Sequence, residues 1–154
     1  MNSDRIEKKI VLCAPRSRVW RALADSQAFG EWFGMKFSGS FVPGARLQGQ
    51  VLHKGYEHLT VEIAIEQMEP ERLFSWRWHP HAIDPKTDYS KEPTTLVVFE
   101  LADAADGTLL TVVESGFERI PLTRRMEAYR GNDNGWTQQM KAIESYVGQA
   151  AQTA

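Results

Sequence analysis

Two stretches, Leu59 to Gln67 and Arg72 to His79, place apolar residues at every second position, whereas from Leu122 to Val147 they recur every third, fourth or seventh. That change of period constrains the fold more than any other feature. A period of two marks half-buried strands, and a period near 3.6 marks a helix with one apolar stripe. On the first stretch Leu59, Val61, Ile63 and Ile65 share a face against Thr60, Glu62 and Glu66. On the second, Phe74, Trp76 and Trp78 oppose Ser75 and Arg77. The stripe Leu122, Met126, Tyr129, Trp136, Met140, Ile143, Val147 defines the helix. Its firmest part is Trp136 to Val147, and Gly131 to Gly135 predicts a weak or kinked N-terminal part. Strands followed by a helix predict an α+β domain, with a curved antiparallel sheet wrapped around that long C-terminal helix.

The remaining segments fit this frame. Arg5 to Leu12 alternates imperfectly and predicts a first strand ending at Ala14-Pro15. Pro15 suits the first turn of a helix running through Val19, Trp20 and Leu23 to about Ala24. A second short helix, Gln27 to Phe33, is capped by Gly34. Short strands follow at Met35 to Ser38 and Arg46 to His53, with turns at Pro43-Gly44 and Lys54-Gly55. Thr94 to Ala102 and Thr108 to Gly116 form a hairpin across Asp106-Gly107. The expected order is strand, two helices, about six further strands, long helix, in one domain over residues 1–154.

Composition excludes several classes. The formal net charge is −2 and the isoelectric point about 6.1, with Lys and Arg scattered. No clustered basic face exists for a nucleic acid. Met1 to Lys9 is polar and charged, and no apolar run has the length of a membrane span. With Cys13 as the one cysteine, no intrachain disulfide can form, which fits a cytoplasmic location.

Phe33, Phe37, Phe74, Trp76, Trp78, Phe99 and Trp136, with Met140 beside Trp136, are candidates to line a ligand cavity. For each one the alternative is ordinary core packing. Five tryptophans in 154 residues favour the cavity for the set as a whole. Glu114 follows Leu110 and Val112 on one strand face. An inward face would set its carboxylate among apolar groups, raise its pKa and suit it to acid/base chemistry or ligand anchoring. The alternative places it at the strand end, in solvent or paired with an arginine such as Arg77. Glu100 is expected in solvent, opposite Val97, Phe99 and Leu101. Tyr129 and His79 are remoter candidates for a catalytic group.

His79-Pro80-His81 lacks the converging ligands of a metal site, so no metal or other cofactor is expected. Cys13 is expected as a buried or half-buried thiol. Ser115 mimics a nucleophile elbow, but Val113 and Phe117 stand where that motif needs glycine. Pro80 to Pro93, carrying Asp88, Tyr89 and Lys91, is long for a hairpin and is either a lid or a variable connection.

Five segments, VWRALADSQAFGEWFG (Val19 to Gly34), FVPGARLQGQV (Phe41 to Val51), MEPERLFSWRW (Met68 to Trp78), GTLLTVVESGF (Gly107 to Phe117) and NGWTQQMKAIESYV (Asn134 to Val147), stand in the family order of the SRPBCC, or START-like, superfamily. They resemble its branch named for the activator of heat-shock-protein-90 ATPase. The resemblance implies a helix-grip fold: about six to seven strands around the long helix, two short helices after the first strand, and an apolar cavity between. It leaves three functions open. The first is binding of a small apolar or aromatic ligand without defined chemistry. The second is a chaperone-associated or other protein interaction, and the third a cyclase- or hydrolase-like enzyme using Glu114. An exposed edge strand leaves a homodimer open.

Overall fold

The computed structural model of the protein describes residues 5–83 and 86–152. β1 (Arg5–Leu12) leads into α1 (Arg16–Ala24) and α2 (Ser26–Phe33). Then come β2 (Met35–Phe37), β3 (Arg46–Val51), β4 (Thr60–Glu69), β5 (Leu73–Trp78), β6 (Thr95–Ala104) and β7 (Gly107–Ser115). α3 (Leu122–Gln152) follows a 3₁₀ turn at Phe117–Arg119. All seven strands form one antiparallel sheet in the order β1-β7-β6-β5-β4-β3-β2. Strands β2 to β7 pair in sequence, whereas β1 pairs with β7. The two short helices thus carry the chain from one sheet edge to the other. This is the helix-grip fold, with the sheet curved around α3. Among the described residues no helix is long and apolar enough to cross a membrane.

Strand alternation sets the inner face. On β7, Thr108, Leu110, Val112 and Glu114 are buried and the residues between them only half-buried. On β5, Phe74 and Trp76 point inward. Between Ile65 and Met68, β4 carries one more residue than β5 opposes to it, a bulge of the kind that bends a sheet. The bulge explains the buried Ser75, whose hydroxyl accepts the Gln67 amide at 3.1 Å. Phe29 of α2 is the hub of the core. Its ring lies 4.6–6.3 Å from those of Trp32, Phe33, Phe37, Phe41, Phe74, Trp76 and Phe99.

α2 ends at Gly34, whose φ of 82° is left-handed and which lies so close to His53 that a Cβ would fall 2.4 Å from its Nε2. Four expectations need correction. Pro15 is the residue before α1 rather than within its first turn. α3 runs unbroken through Gly131 and Gly135, because packing on the sheet outweighs the low propensity of two glycines. Leu122 and Met126 are 78% and 49% exposed and do not belong to the buried stripe. That stripe is Ala128, Trp136, Met140, Ile143 and Val147, and Met126 points about 200° away from Ala128 around the helix. Cys13 is exposed, because Leu12 and Ala14 on either side of it take the inward positions.

Candidate functional site

On the inward face of β7, Glu114 stands in register between Ile6 of β1 and Val97 of β6, both buried. Its exposure is 0%. It reaches neither solvent nor Arg77, which pairs with Glu66 at 3.4 Å. Four side chains donate to it instead. Oε2 accepts the indole N–H of Trp78 at 2.8 Å and the Thr95 hydroxyl at 2.5 Å. Oε1 accepts the indole N–H of Trp136 at 2.8 Å. The Asn132 amide spans both oxygens, at 2.9 and 3.1 Å. A buried carboxylate is costly unless its oxygens are hydrogen-bonded, and bonds to a charged acceptor are the stronger kind. Glu114 therefore joins β5, β6, β7 and α3 at one point. Lys8 to Asp133 at 2.9 Å and the Tyr129 hydroxyl to Arg5 O at 3.1 Å fasten the same part of α3 to β1.

In front of this hub opens a cleft of about 740 Å³. Its walls are Val51 at the end of β3, His53, Lys54 and Tyr56 beyond it, Leu59 just before β4 and Val61 within it, then Trp78, His79, His81, Ala82 and Ile83, and finally Gly131, Asn132, Gly135 and Gln138 of α3. A recess of about 160 Å³, lined by Phe33, Trp136 and Gln139, adjoins it through Trp78, Asn132 and Gly135. Three of the four donors to Glu114 thus form the inner wall, with the carboxylate behind them.

Of the expected lining residues, Trp78 lines the cleft, and Phe33 and Trp136 line the recess. Phe74, Trp76, Phe99 and Met140 are buried in the packed core and line neither. The Trp76 indole N–H is buried with no hydrogen-bond partner among the described residues. Phe37 lies elsewhere, in a surface groove with Gln27 and Leu52. Glu100 faces solvent.

Sequence reasoning missed Asn132, Gly131 and Gly135. Their signal was present: two glycines and an asparagine stand where a helical stripe wants large apolar groups. The glycines are what make room. A Cβ on Gly131 would fall 2.5 Å from His81 Nδ1, so its absence lets the His81 ring lie against α3. At Gly135 a Cβ would meet nothing within 4 Å, since it faces the cleft.

The segment after β5 is clamped over the start of α3. Arg124 donates to Glu92 Oε1 through Nε at 2.8 Å and pairs with the same carboxylate as an ion, a terminal nitrogen lying 2.6 Å from that oxygen. It also donates to Pro80 O at 2.9 Å and lies 4.6 Å above the Tyr89 ring. His79 Nε2 donates to Glu92 O at 3.1 Å, and His53 Nε2 donates to Phe33 O at 3.3 Å. Two turns are held by carboxylates, one beside the cleft at Glu57 and one in the segment after β5 at Asp88. Glu57, bonded by its own amide and by Gly55 N–H, sits below the usual glutamate range for that reason. Asp88 sits below its usual range because the Ser90 hydroxyl and amide bond to it. Among the described residues, no three His, Cys, Asp or Glu side chains come together as metal ligands.

A family model described as Activator of Hsp90 ATPase homolog 1-like protein matches residues 13–148. No curated protein matches the chain. Solved structures share its fold. Protein MLL2253 from Mesorhizobium loti superposes with a TM-score of 0.74 at 23% identity, covering 94% of this chain and 97% of that one. Protein NE0264 from Nitrosomonas europaea gives 0.73 at 19% identity, covering 98% of both chains. The Aha1 dimer from Colwellia psychrerythraea gives 0.67 at 16% identity, covering 91% of this chain and 92% of that one. At these identities the likeness is one of fold.

Proposed function

The chain belongs to the family of Activator of Hsp90 ATPase homolog 1-like proteins, and from that premise we propose that it is a small-molecule-binding domain taking an apolar or aromatic ligand. The observation that carries this reading is the cleft of about 740 Å³ beside Trp78, within the size range of ligand pockets and walled mainly by apolar groups with a few polar ones. The ligand would enter between the Pro80 side of the cleft and α3 and rest on Trp78 and Asn132, with Phe33 and Trp136 deeper in the recess. Glu114 is then a positioning residue. Both its oxygens are engaged by donors, so it holds the inner wall in place rather than exchanging protons with a substrate. A reducing cytoplasm suits an exposed, unbridged Cys13.

A neutral apolar dye, N-phenyl-1-naphthylamine, tests the reading by fluorescence titration. Saturable one-to-one binding is expected. Gly135→Leu should abolish it by filling the cleft, while the fold gains stability because leucine is the better helix former. A dye that never saturates, or that binds Gly135→Leu as well as the parent, would overturn the reading.

The family description also suggests a chaperone partner. The exposed Leu122 and Met126 on the first turns of α3 favour that second reading. Calorimetric titration with purified Hsp90 tests it, and heat that survives a Leu122→Ser, Met126→Ser double variant would count against that surface. A homodimer would use one of the free sheet edges, β1 or β2.

A further inference from the structure

The charges around the cleft point to a narrower ligand class, an inference that rests on the binding reading above. We propose that the ligand is an amphiphile with an apolar body and one anionic head, the head lying at Lys54.

The lining is selected in sign. Lys54 and three of the four histidines, His53, His79 and His81, line the cleft, and among the described residues no carboxylate does. The chain as a whole carries 20 acidic residues against 18 Lys and Arg, so the cleft departs from the surface around it. The acids nearest the site are occupied elsewhere. Glu114 is held by its four donors, Glu92 by Arg124, and Glu57, beside the mouth, by the Gly55 amide at 2.6 Å, while Glu127 faces His81 from outside the cleft at 3.6 Å. Lys54, by contrast, makes no ion pair among the described residues. A one-sign cavity with low-dielectric walls concentrates ions of the opposite charge.

Exposure is also graded with depth. Leu59 is buried and Trp78 half-buried, whereas His53, Lys54, Tyr56 and Ile83 are exposed and mark the mouth. An apolar body therefore fits inward against Leu59, Val61 and Trp78, leaving its head beside Lys54. Nε2 of His53 and of His79 each lies within hydrogen-bonding distance of a backbone carbonyl, which holds both rings at the wall of the cleft.

Two dyes with the same apolar body separate the charge from the cavity: 8-anilinonaphthalene-1-sulfonate, an anion, and N-phenyl-1-naphthylamine, which is neutral. The sulfonate should bind the parent protein roughly tenfold more tightly, the scale of one charge contact in a partly screened site. Lys54→Gln should erase most of that preference and Lys54→Glu should reverse it, read as the ratio of the two dyes' affinities on each variant. Lys54 is exposed, so both variants should fold, and the neutral dye reports that they have. Equal affinity for the two dyes, or a sulfonate preference that survives Lys54→Glu, would overturn the anionic-head proposal and leave the apolar-cleft reading intact. Failure of both dyes to bind the parent would overturn that underlying reading and this proposal with it.

Discussion

Trp136 Nε1 on α3 lies 2.8 Å from Oε1 of Glu114 on β7, a hydrogen bond made in full burial across the gap between sheet and helix. It forms half of a symmetrical arrangement, with Trp78 Nε1 at 2.8 Å from the other oxygen. The indoles of two elements are thus oriented by one carboxylate, and the inner wall of the cleft follows from that orientation.

Glu114→Gln should therefore destabilise the fold. A glutamine offers one oxygen and one NH₂. The Asn132 amide can flip and the Thr95 hydroxyl can rotate to accept, but an indole N–H cannot accept. Whichever way the glutamine turns, either Trp78 or Trp136 loses its acceptor, at a cost of about 1–3 kcal/mol. Chemical denaturation measures this. An unchanged midpoint would show that the carboxylate does not organise the wall.

Two conservative tryptophan variants should differ in a definite direction. Trp136→Phe and Trp76→Phe remove the same atoms from buried positions. The first also takes a donor from Glu114, whereas the second removes an N–H that has no partner among the described residues. Trp136→Phe should be the more costly by about 2 kcal/mol, as read from urea unfolding of both proteins. Equal losses would contradict the hydrogen-bond assignment.

Acid should loosen two turns, the one beside the cleft at Glu57 and the one in the segment after β5 at Asp88. Glu57 and Asp88 have folded-state pKa values below their unfolded ones, because the hydrogen bonds they accept, from the Glu57 and Gly55 amides and from Ser90, stabilise the charged carboxylates. Their contributions are complete above the ordinary carboxylate range, about pH 4, and are lost as pH falls through the depressed values. The amide protons of Gly55 and Ser90, followed by NMR, should move in concert below that pH. Shifts centred at or above the ordinary range would refute the turns as drawn.

Arg124→Ala should free the segment after β5 while sparing the core. It removes the partner of the half-buried Glu92, the bond to Pro80 O and the face over Tyr89. Hydrogen exchange should accelerate at residues 79–83 and 86–94, with global stability lower by about 1–2 kcal/mol and core strands still protected. Uniform acceleration throughout the sheet would mean that the clamp is part of the global fold.

Period alone determined the succession of strands and the long helix, because alternation and helical stripes are local consequences of backbone geometry. The aromatic faces of β5 and the capped end of α2 at Gly34 followed equally from residue type and order. What the tertiary structure decided was how space and charge were shared. The rings of Phe74, Trp76 and Phe99 fill the core instead of lining a cavity, because Phe29 inserts among them from another element. The open volume lies where Gly131 and Gly135 withhold side chains, a pattern that by local propensity looked like a break in the helix. Glu114 could be placed inward or outward from sequence, but its donors come from residues 18 to 36 positions away. Only the approach of α3 to the curved sheet brings them together, since a buried carboxylate is stable only where the fold delivers enough hydrogen bonds to replace water.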